Sequence, residues 1–324
     1  MSDEEIREHI DQGQVVEMPT AGRLKAISVE DFLAVQIPPR EFLLPPWLPS
    51  QGVVMVYSER GVGKTHFALG IAYADASAGR FLHWEAPKAR RVLYIDGEMP
   101  AVAMQERLAG IVAASEKVAS TDFLRLITPD LQETSIPDLS DPGGQAAVDR
   151  HLDGVELLVL DNISTLFRSG VENEAESWTP VQEWVLKLRQ RRVTTMFVHH
   201  AGKGGQQRGT SRREDILDTT IRLKRPTDYQ ATDGARFEIH FDKARGLCGE
   251  DARPIEARME MRDGKAFWTT KDMDVRLTER VAECLNSEQT VREAAQELGI
   301  TKSTVSRHKK KAAALGLLDE GHDQ

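Results

Sequence analysis

The chain alternates short, wholly apolar runs with longer stretches of helical period. Val53 to Tyr57 is a continuous apolar run of strand length, and Thr65 to Ala78 follows it with a helical pattern. Arg91 to Ile95 predicts a second buried strand, Ala101 to Val118 a second helix, and Phe123 to Ile127 a third strand. Leu157 to Leu160 and Val193 to Val198 predict two more strands, with the helical stretch Glu174 to Gln190 between them. Such alternation predicts an α/β fold with a mostly parallel sheet. Thr219 to Leu223 and Phe237 to Phe241 alternate apolar and polar residues, as antiparallel strands added at one edge would. Ile255 to Trp268 reads as a closing hairpin that turns at Asp263-Gly264. From Leu277 the strand signal stops and the chain becomes helical and basic. The pattern divides the chain into a polar arm over 1–37, an α/β domain over 38–271 and a small all-α domain over 272–324.

Composition narrows the class. With 324 residues, 40% hydrophobic and 29% charged, the chain fits a globular protein of two domains with a full core. No apolar run approaches the roughly 18 residues of a membrane span, and the start, Met1-Ser2-Asp3-Glu4-Glu5, does not read as a secretory signal. Cys248 and Cys284 are far apart and lack metal-ligand spacing, so a disulfide framework is excluded and a cytoplasmic location is expected. Lys and Arg number 42 against 51 Asp and Glu, a net charge of −9. Any contact with nucleic acid must therefore use a local basic patch on an acidic body.

The strongest chemical signal is Ser58-Glu59-Arg60-Gly61-Val62-Gly63-Lys64-Thr65-His66, between the first strand and the first helix. It matches the P-loop G-x-x-x-x-G-K-[ST] at Gly63, Lys64 and Thr65, with Ser58 in place of the first glycine. Gly61 and Gly63 let backbone N–H groups wrap a phosphate at a helix N-terminus. Lys64 neutralises the β- and γ-phosphates of ATP, and the Thr65 hydroxyl is offered to Mg²⁺. Leu157-Leu158-Val159-Leu160-Asp161 has the form of a Walker B strand, which puts Asp161 near the metal. Asp96 and Glu98, at the end of the second strand, are both candidates to activate water. His199 and His200 end a later strand, where a polar residue can sense the γ-phosphate. The stretch 201–213 carries Lys203, Arg208, Arg212 and Arg213 and no acid, so it either tracks a nucleic-acid backbone or is a solvated surface loop.

Together these motifs resemble the RecA-fold ATPases related to DnaB, and most closely the RepA-type hexameric helicases of plasmid replication. The resemblance covers about residues 38–250 and rests on Gly61-Val62-Gly63-Lys64-Thr65, Asp96-Gly97-Glu98-Met99-Pro100, Leu158-Val159-Leu160-Asp161-Asn162, His199-His200 and Arg208-Gly209-Thr210-Ser211. It implies a RecA-like fold with Glu98, rather than Asp96, as general base, and a histidine as γ-phosphate sensor. It also implies that Lys243 and Arg245, in Phe241-Asp242-Lys243-Ala244-Arg245-Gly246, act on the ATP of a neighbouring subunit.

The C-terminal part has its own pattern. Thr290 to Gly299 reads as a helix ended by glycine, and Thr301 caps a second helix from Lys302 to Leu315, closed by Gly316. The spacing is that of a helix-turn-helix, in which Leu298, Ile300 and Val305 pack the helices together. Lys302, Arg307, Lys309, Lys310 and Lys311 supply a basic patch, and Ser306 and Arg307 sit where base edges are usually met. A helical hairpin for oligomer contacts is the alternative. The expectation is thus a Mg²⁺-dependent, DNA-stimulated ATPase: a homo-oligomeric, hexameric, ring-forming replicative helicase of a plasmid or mobile element. Single-stranded DNA would pass through the ring channel and duplex DNA would meet the C-terminal helices. The alternatives are an ATP-controlled DNA-binding regulator and a RecA-like recombination ATPase.

Overall fold

The strand expected at Val53 to Tyr57 lies in the middle of a nine-stranded sheet. The computed structural model describes residues 26–37, 39–168, 178–202 and 215–318, and the chain divides into two compact units, 1–40 and 41–324. In the first unit Ser28 caps a short helix, α1 (Val29–Ala34), by accepting a hydrogen bond from the Asp31 amide. This stretch is less polar than expected of an arm, with Ile27, Val29, Phe32, Leu33, Val35 and Ile37 all exposed.

The second unit opens with a small hairpin, β1 (Phe42–Leu44) and β2 (Leu48–Pro49), and then follows the α/β alternation. In order come β3 (Val53–Ser58), α2 (Lys64–Ser77), a second small hairpin of β4 (Arg80–Phe81) and β5 (Trp84–Glu85), β6 (Val92–Asp96), α3 (Ala101–Ala114) and β7 (Leu124–Ile127). Next are α4 (Pro142–Asp149), β8 (Leu157–Asp161), α5 (Ile163–Leu166), α6 (Thr179–Gln190) and β9 (Thr194–His200). Then come β10 (Thr219–Lys224), β11 (Arg236–Ala244), β12 (Ile255–Arg262) and β13 (Lys265–Asp272). The sheet order is β13-β12-β11-β10-β3-β9-β8-β6-β7. The six strands from β10 to β7 run parallel, and β11, β12 and β13 add antiparallel at one edge; β10, expected to be antiparallel from its alternating residues, instead pairs parallel with β3 inside the sheet and carries β11 antiparallel on its other side. This is the mostly parallel α/β sheet that the alternation of runs and helices predicts. The β12–β13 hairpin turns where expected, with Asp263 (φ 50°) and Gly264 (φ 74°) both left-handed, as a two-residue turn requires.

Successive residues of the central strands feed two cores. Val54, Val56, Tyr94 and Val159 pack on one face against Phe67, Leu69 and Ile71 of α2 and an aromatic cluster that includes Trp47 and Trp84. Val53, Met55, Ile95 and Leu160 pack on the other against Val181, Trp184 and Leu188 of α6. Burial on both faces explains why these strands read as continuous apolar runs. Each such side chain contributes about 1.5–3 kcal/mol when fully buried.

The helical part follows β13 without a linker. Its elements are α7 (Met273–Asn286), capped by Asp272, α8 (Val291–Glu297) and α9 (Lys302–Ala314). Thr301 caps α9 by accepting from the Thr304 amide, and Gly299 and Gly316 take the left-handed conformation expected after the two helices. Leu298 and Val305 are buried in a small core with Val281, Leu285 and Ala294. His308, between the basic residues Arg307 and Lys309, is fully buried, with its Nδ1 2.8 Å from the Thr278 hydroxyl of α7. Among the described residues no helix is long and apolar enough to cross a membrane.

Candidate functional site

The carboxyl ends of β3, β6, β8 and β9 meet the start of α2. Ser58 of β3 lies opposite His200 of β9, and Asp96 of β6 opposite Asp161 of β8. Asp96, Asp161 and His200 border a cleft of about 640 Å³ that also includes Gly61, Gly63, Lys64, Thr65 and Glu98. Gly61 (φ 74°) and Gly63 (φ 127°) hold backbone conformations that side chains oppose, and a Cβ on Gly63 would stand 2.9 Å from the Phe237 ring. No side chain caps the start of α2 at Gly63, so the first helical N–H groups and the helix dipole are available to an anion.

Lys64 is 6% exposed, and its Nζ donates to the Ser58 carbonyl and hydroxyl, both at 3.2 Å, and to the Glu59 carbonyl at 2.9 Å. Burial lowers its pKa to about 8, against the charges of Asp161 and Glu98, which raise it. Ser58, expected to bind the cofactor, is buried and absent from the cleft lining. Being the last residue of β3, it turns its hydroxyl to Lys64 and so positions the cation instead. Val62 and His66 do border the cleft, and burial holds the His66 ring neutral with a pKa of about 4.

Asp161 is buried and accepts a hydrogen bond from the Tyr94 hydroxyl at 2.7 Å. Burial raises its pKa, which the hydrogen bonds from Tyr94 and Thr65 partly oppose. The Mg²⁺ that the resemblance implies fits this pair, since a hydroxyl and a carboxylate are hard oxygen donors. Among the described residues no group of three or more His, Cys, Asp or Glu side chains could hold a metal alone. Substrate phosphates would have to complete its shell, as is usual for Mg²⁺.

The two candidate bases have different surroundings. Asp96 is buried, its Oδ2 accepts from the Glu98 and Met99 amides at 3.2 and 2.7 Å, and burial raises its pKa to about 6. It pins the turn that presents Glu98. The Glu98 side chain is 58% exposed, its Oε2 accepts from Asn162 Nδ2 at 2.5 Å and lies 3.6 Å from His200 Nε2. The two histidines separate as well. His200 borders the cleft, whereas His199 is fully buried, because adjacent strand residues point to opposite faces. His199 is absent from the lining of that cleft.

Lys243 and Arg245 do not border this cleft either. Lys243 lies on β11 opposite Thr220, and the Arg245 guanidinium donates to the Asp215 carbonyl at 3.3 Å. On α9, Lys302, Ser306, Arg307 and Lys310 are exposed and Lys309 is half-buried. Arg307 also borders a second cleft, of about 790 Å³, between the sheet edge and α7. Lys203, Arg208, Arg212 and Arg213 lie outside the described residues. The sequence reading assigned no role to Arg60, Arg107, Asn162, Gly234, Ala235 or Met259, all of which border the nucleotide-sized cleft. Asn162 directly follows the Walker B aspartate and was within reach of that reading. Met259 comes from β12, far along the chain, and nothing in the pattern connects it to the P-loop.

Comparison with known proteins gives one family and several distant relatives. Residues 18–206 match the AAA domain family AAA_25. The DNA repair protein RadA of Chlamydia trachomatis serovar D is 24% identical over 173 residues, 52% of this chain and 32% of that protein. The chain thus spans about a third of the length of this relative. Among solved structures, a KaiC-like protein from Pyrococcus horikoshii superposes with a TM-score of 0.47 at 15% identity, over 71% of this chain and 93% of that one. The flagellar accessory protein FlaH of Methanocaldococcus jannaschii gives 0.46 at 14%, over 68% and 90%.

Proposed function

The chain belongs to the AAA domain family and is a P-loop ATPase of RecA-like fold; from that premise we propose that it is a cytoplasmic, Mg²⁺-dependent ATPase that acts on DNA as a ring-forming helicase of a plasmid or mobile element. One observation carries the reading. An exposed glutamate, Glu98, is aimed by Asn162 into a cleft whose floor is a P-loop with its lysine. Glu98 takes the proton of the attacking water. Lys64 and the first N–H groups of α2 hold the β- and γ-phosphates, and His200 stands where it can report the γ-phosphate to Glu98. Mg²⁺, when held by Thr65 and Asp161, neutralises phosphate charge. Lys243 and Arg245 act in the cleft of a neighbouring subunit, which is why a hexameric ring completes the site.

In the C-terminal helices, α8 and α9 serve as a helix-turn-helix with Lys302, Ser306, Arg307, Lys309 and Lys310 toward duplex DNA. Lys203, Arg208, Arg212 and Arg213 contact single-stranded DNA in the ring channel. The test is ATP turnover with and without single-stranded DNA, together with strand displacement. Stimulation with displacement supports the helicase. Turnover without displacement, joined to nucleotide-dependent duplex binding, would make the protein a regulator. The RadA relative favours a second reading, a recombination ATPase. Electron microscopy separates the two, because filaments on single strands in place of rings would replace the helicase reading.

A further inference from the structure

The strand order divides the lining of the nucleotide-sized cleft into two sides. Glu98, Asp161 and His200 stand at the ends of β6, β8 and β9, all on one side of β3. On the other side of β3 are β10, β11 and β12, and from there Gly234, Ala235 and Met259 reach the same cleft. A nucleotide whose γ-phosphate meets Glu98 and whose phosphate chain is wrapped by the P-loop has room for its sugar and base toward this edge. We propose that the Gly234-Ala235 turn and Met259 form the seat for a purine base, with Met259 setting the affinity for the nucleoside. This inference rests on the ATPase reading.

The chemistry of the seat suits a flat aromatic ring. Gly234 has no side chain and Ala235 only a methyl, so a planar group can approach the turn closely. The Met259 thioether is polarizable and packs well on π faces. The seat is also fixed in advance. The Met259 amide donates to the Ala235 carbonyl at 2.8 Å, and the Tyr229 hydroxyl donates to the Gly234 carbonyl at 3.1 Å. Arg225 donates to the Gly61 carbonyl at 3.0 Å and stacks over Tyr229 at 4.7 Å, which ties this turn to the P-loop itself. The next residue, Arg236, is nearly buried and held by Asp228, Asp233 and Glu256. A preformed seat spares the ligand the cost of ordering a loop. The three residues bring no polar side chain to tell adenine from guanine, so the seat favours purines over pyrimidines by ring area.

The test is calorimetric binding to the full chain, with Mg²⁺ present, of ATP, CTP and inorganic tripolyphosphate. It compares wild type, Met259→Ala and Met259→Leu. The expected result for wild type is tighter binding of ATP than of CTP or tripolyphosphate. Met259→Ala should weaken ATP about three- to tenfold, the range of a thioether–aromatic contact, and leave tripolyphosphate unchanged. Met259→Leu, which keeps the apolar bulk but has no sulfur, should restore only part of the ATP affinity. An unchanged ATP-to-tripolyphosphate ratio in Met259→Ala, or an equal loss of both ligands, would overturn the seat. If wild type binds neither ATP nor tripolyphosphate, the ATPase reading itself has failed.

Discussion

The nucleotide cleft and the C-terminal helices use charge in opposite ways. In the cleft Lys64, Asp96 and Asp161 are buried and hold the frame in which the exposed Glu98 is presented. Lys64 is 6% exposed and Asp96 2%, and burial moves the first down to about pKa 8 and the second up to about 6. Each is held by named hydrogen bonds, as buried polar groups must be. On α9 the cations Lys302, Arg307 and Lys310 are exposed. Buried, pre-positioned charge suits chemistry on a small ligand, since it needs no reorganisation when the reaction occurs. Exposed charge suits attraction to a polyanion, an effect that salt screens. The contrast is the one the proposed function needs, with catalysis in the cleft and DNA contact on α9.

The largest predicted effect would blur that division. If the exposed Arg245 completes a neighbour's cleft, Arg245→Ala lowers ATP turnover by about 10³–10⁵. Mixing it with Lys64→Ala protein should then restore part of the activity, because some interfaces pair an intact P-loop with an intact arginine. A turnover assay on demonstrably mixed oligomers that stays flat would place Arg245 outside the site. A smaller effect sharpens the division. Arg307→Ala should reduce discrimination between duplex sequences by about 1–3 kcal/mol if it reads a guanine, with ATPase activity unchanged. Lys310→Ala should weaken binding to all duplexes alike and reduce the salt slope by about 1, as fluorescence anisotropy would record. Equal affinity and slope in both variants and wild type would mean that α9 does not meet DNA.

The smallest effect concerns pH. His308 of α9 is buried against Thr278 and Asp274 of α7, with Arg307 and Lys311 of its own helix nearby. Burial lowers its pKa below the ordinary value near 6.5. Below that pH the unfolded chain takes up a proton that the folded helices resist, so their stability is complete above it and declines as pH falls. Hydrogen exchange of α8 and α9 should therefore be faster at pH 5.5 than at pH 7.5 after correction for intrinsic rates. His308→Gln should flatten that dependence. An unchanged dependence in the variant would assign it to another group.

The sequence pattern located β3, β6, β8 and β9 to within two residues, because strands buried on both faces read as apolar runs, whereas β10, whose residues alternate, was read as antiparallel although it pairs parallel with β3. It also found both helix boundaries at Gly299 and Thr301, where cap chemistry is local. The helix α4 and the two small hairpins, β1–β2 and β4–β5, were not foreseen, since their short segments carry no period. Local motifs brought Lys64, Thr65, Asp161 and Glu98 forward. The pattern could not separate His199 from His200, because that depends on which face of β9 meets the cleft. Nor could it find Met259, whose place depends on the order of β3, β10, β11 and β12 in the sheet. Ser58 departs from the P-loop pattern, and its buried contact with Lys64 required coordinates to explain.

The central claim is that Glu98, held by Asn162 in a P-loop cleft, is the base for ATP hydrolysis. Its most direct test measures ATP binding and single-turnover hydrolysis side by side in wild type, Glu98→Gln and Asp96→Asn. Glu98→Gln keeps size and hydrogen bonding but not basicity. It should bind ATP as wild type does and hydrolyse it about 10²–10⁴ times more slowly, while Asp96→Asn acts by loosening the turn and costs less. Wild-type hydrolysis by Glu98→Gln, or the full loss in Asp96→Asn alone, would contradict the assignment.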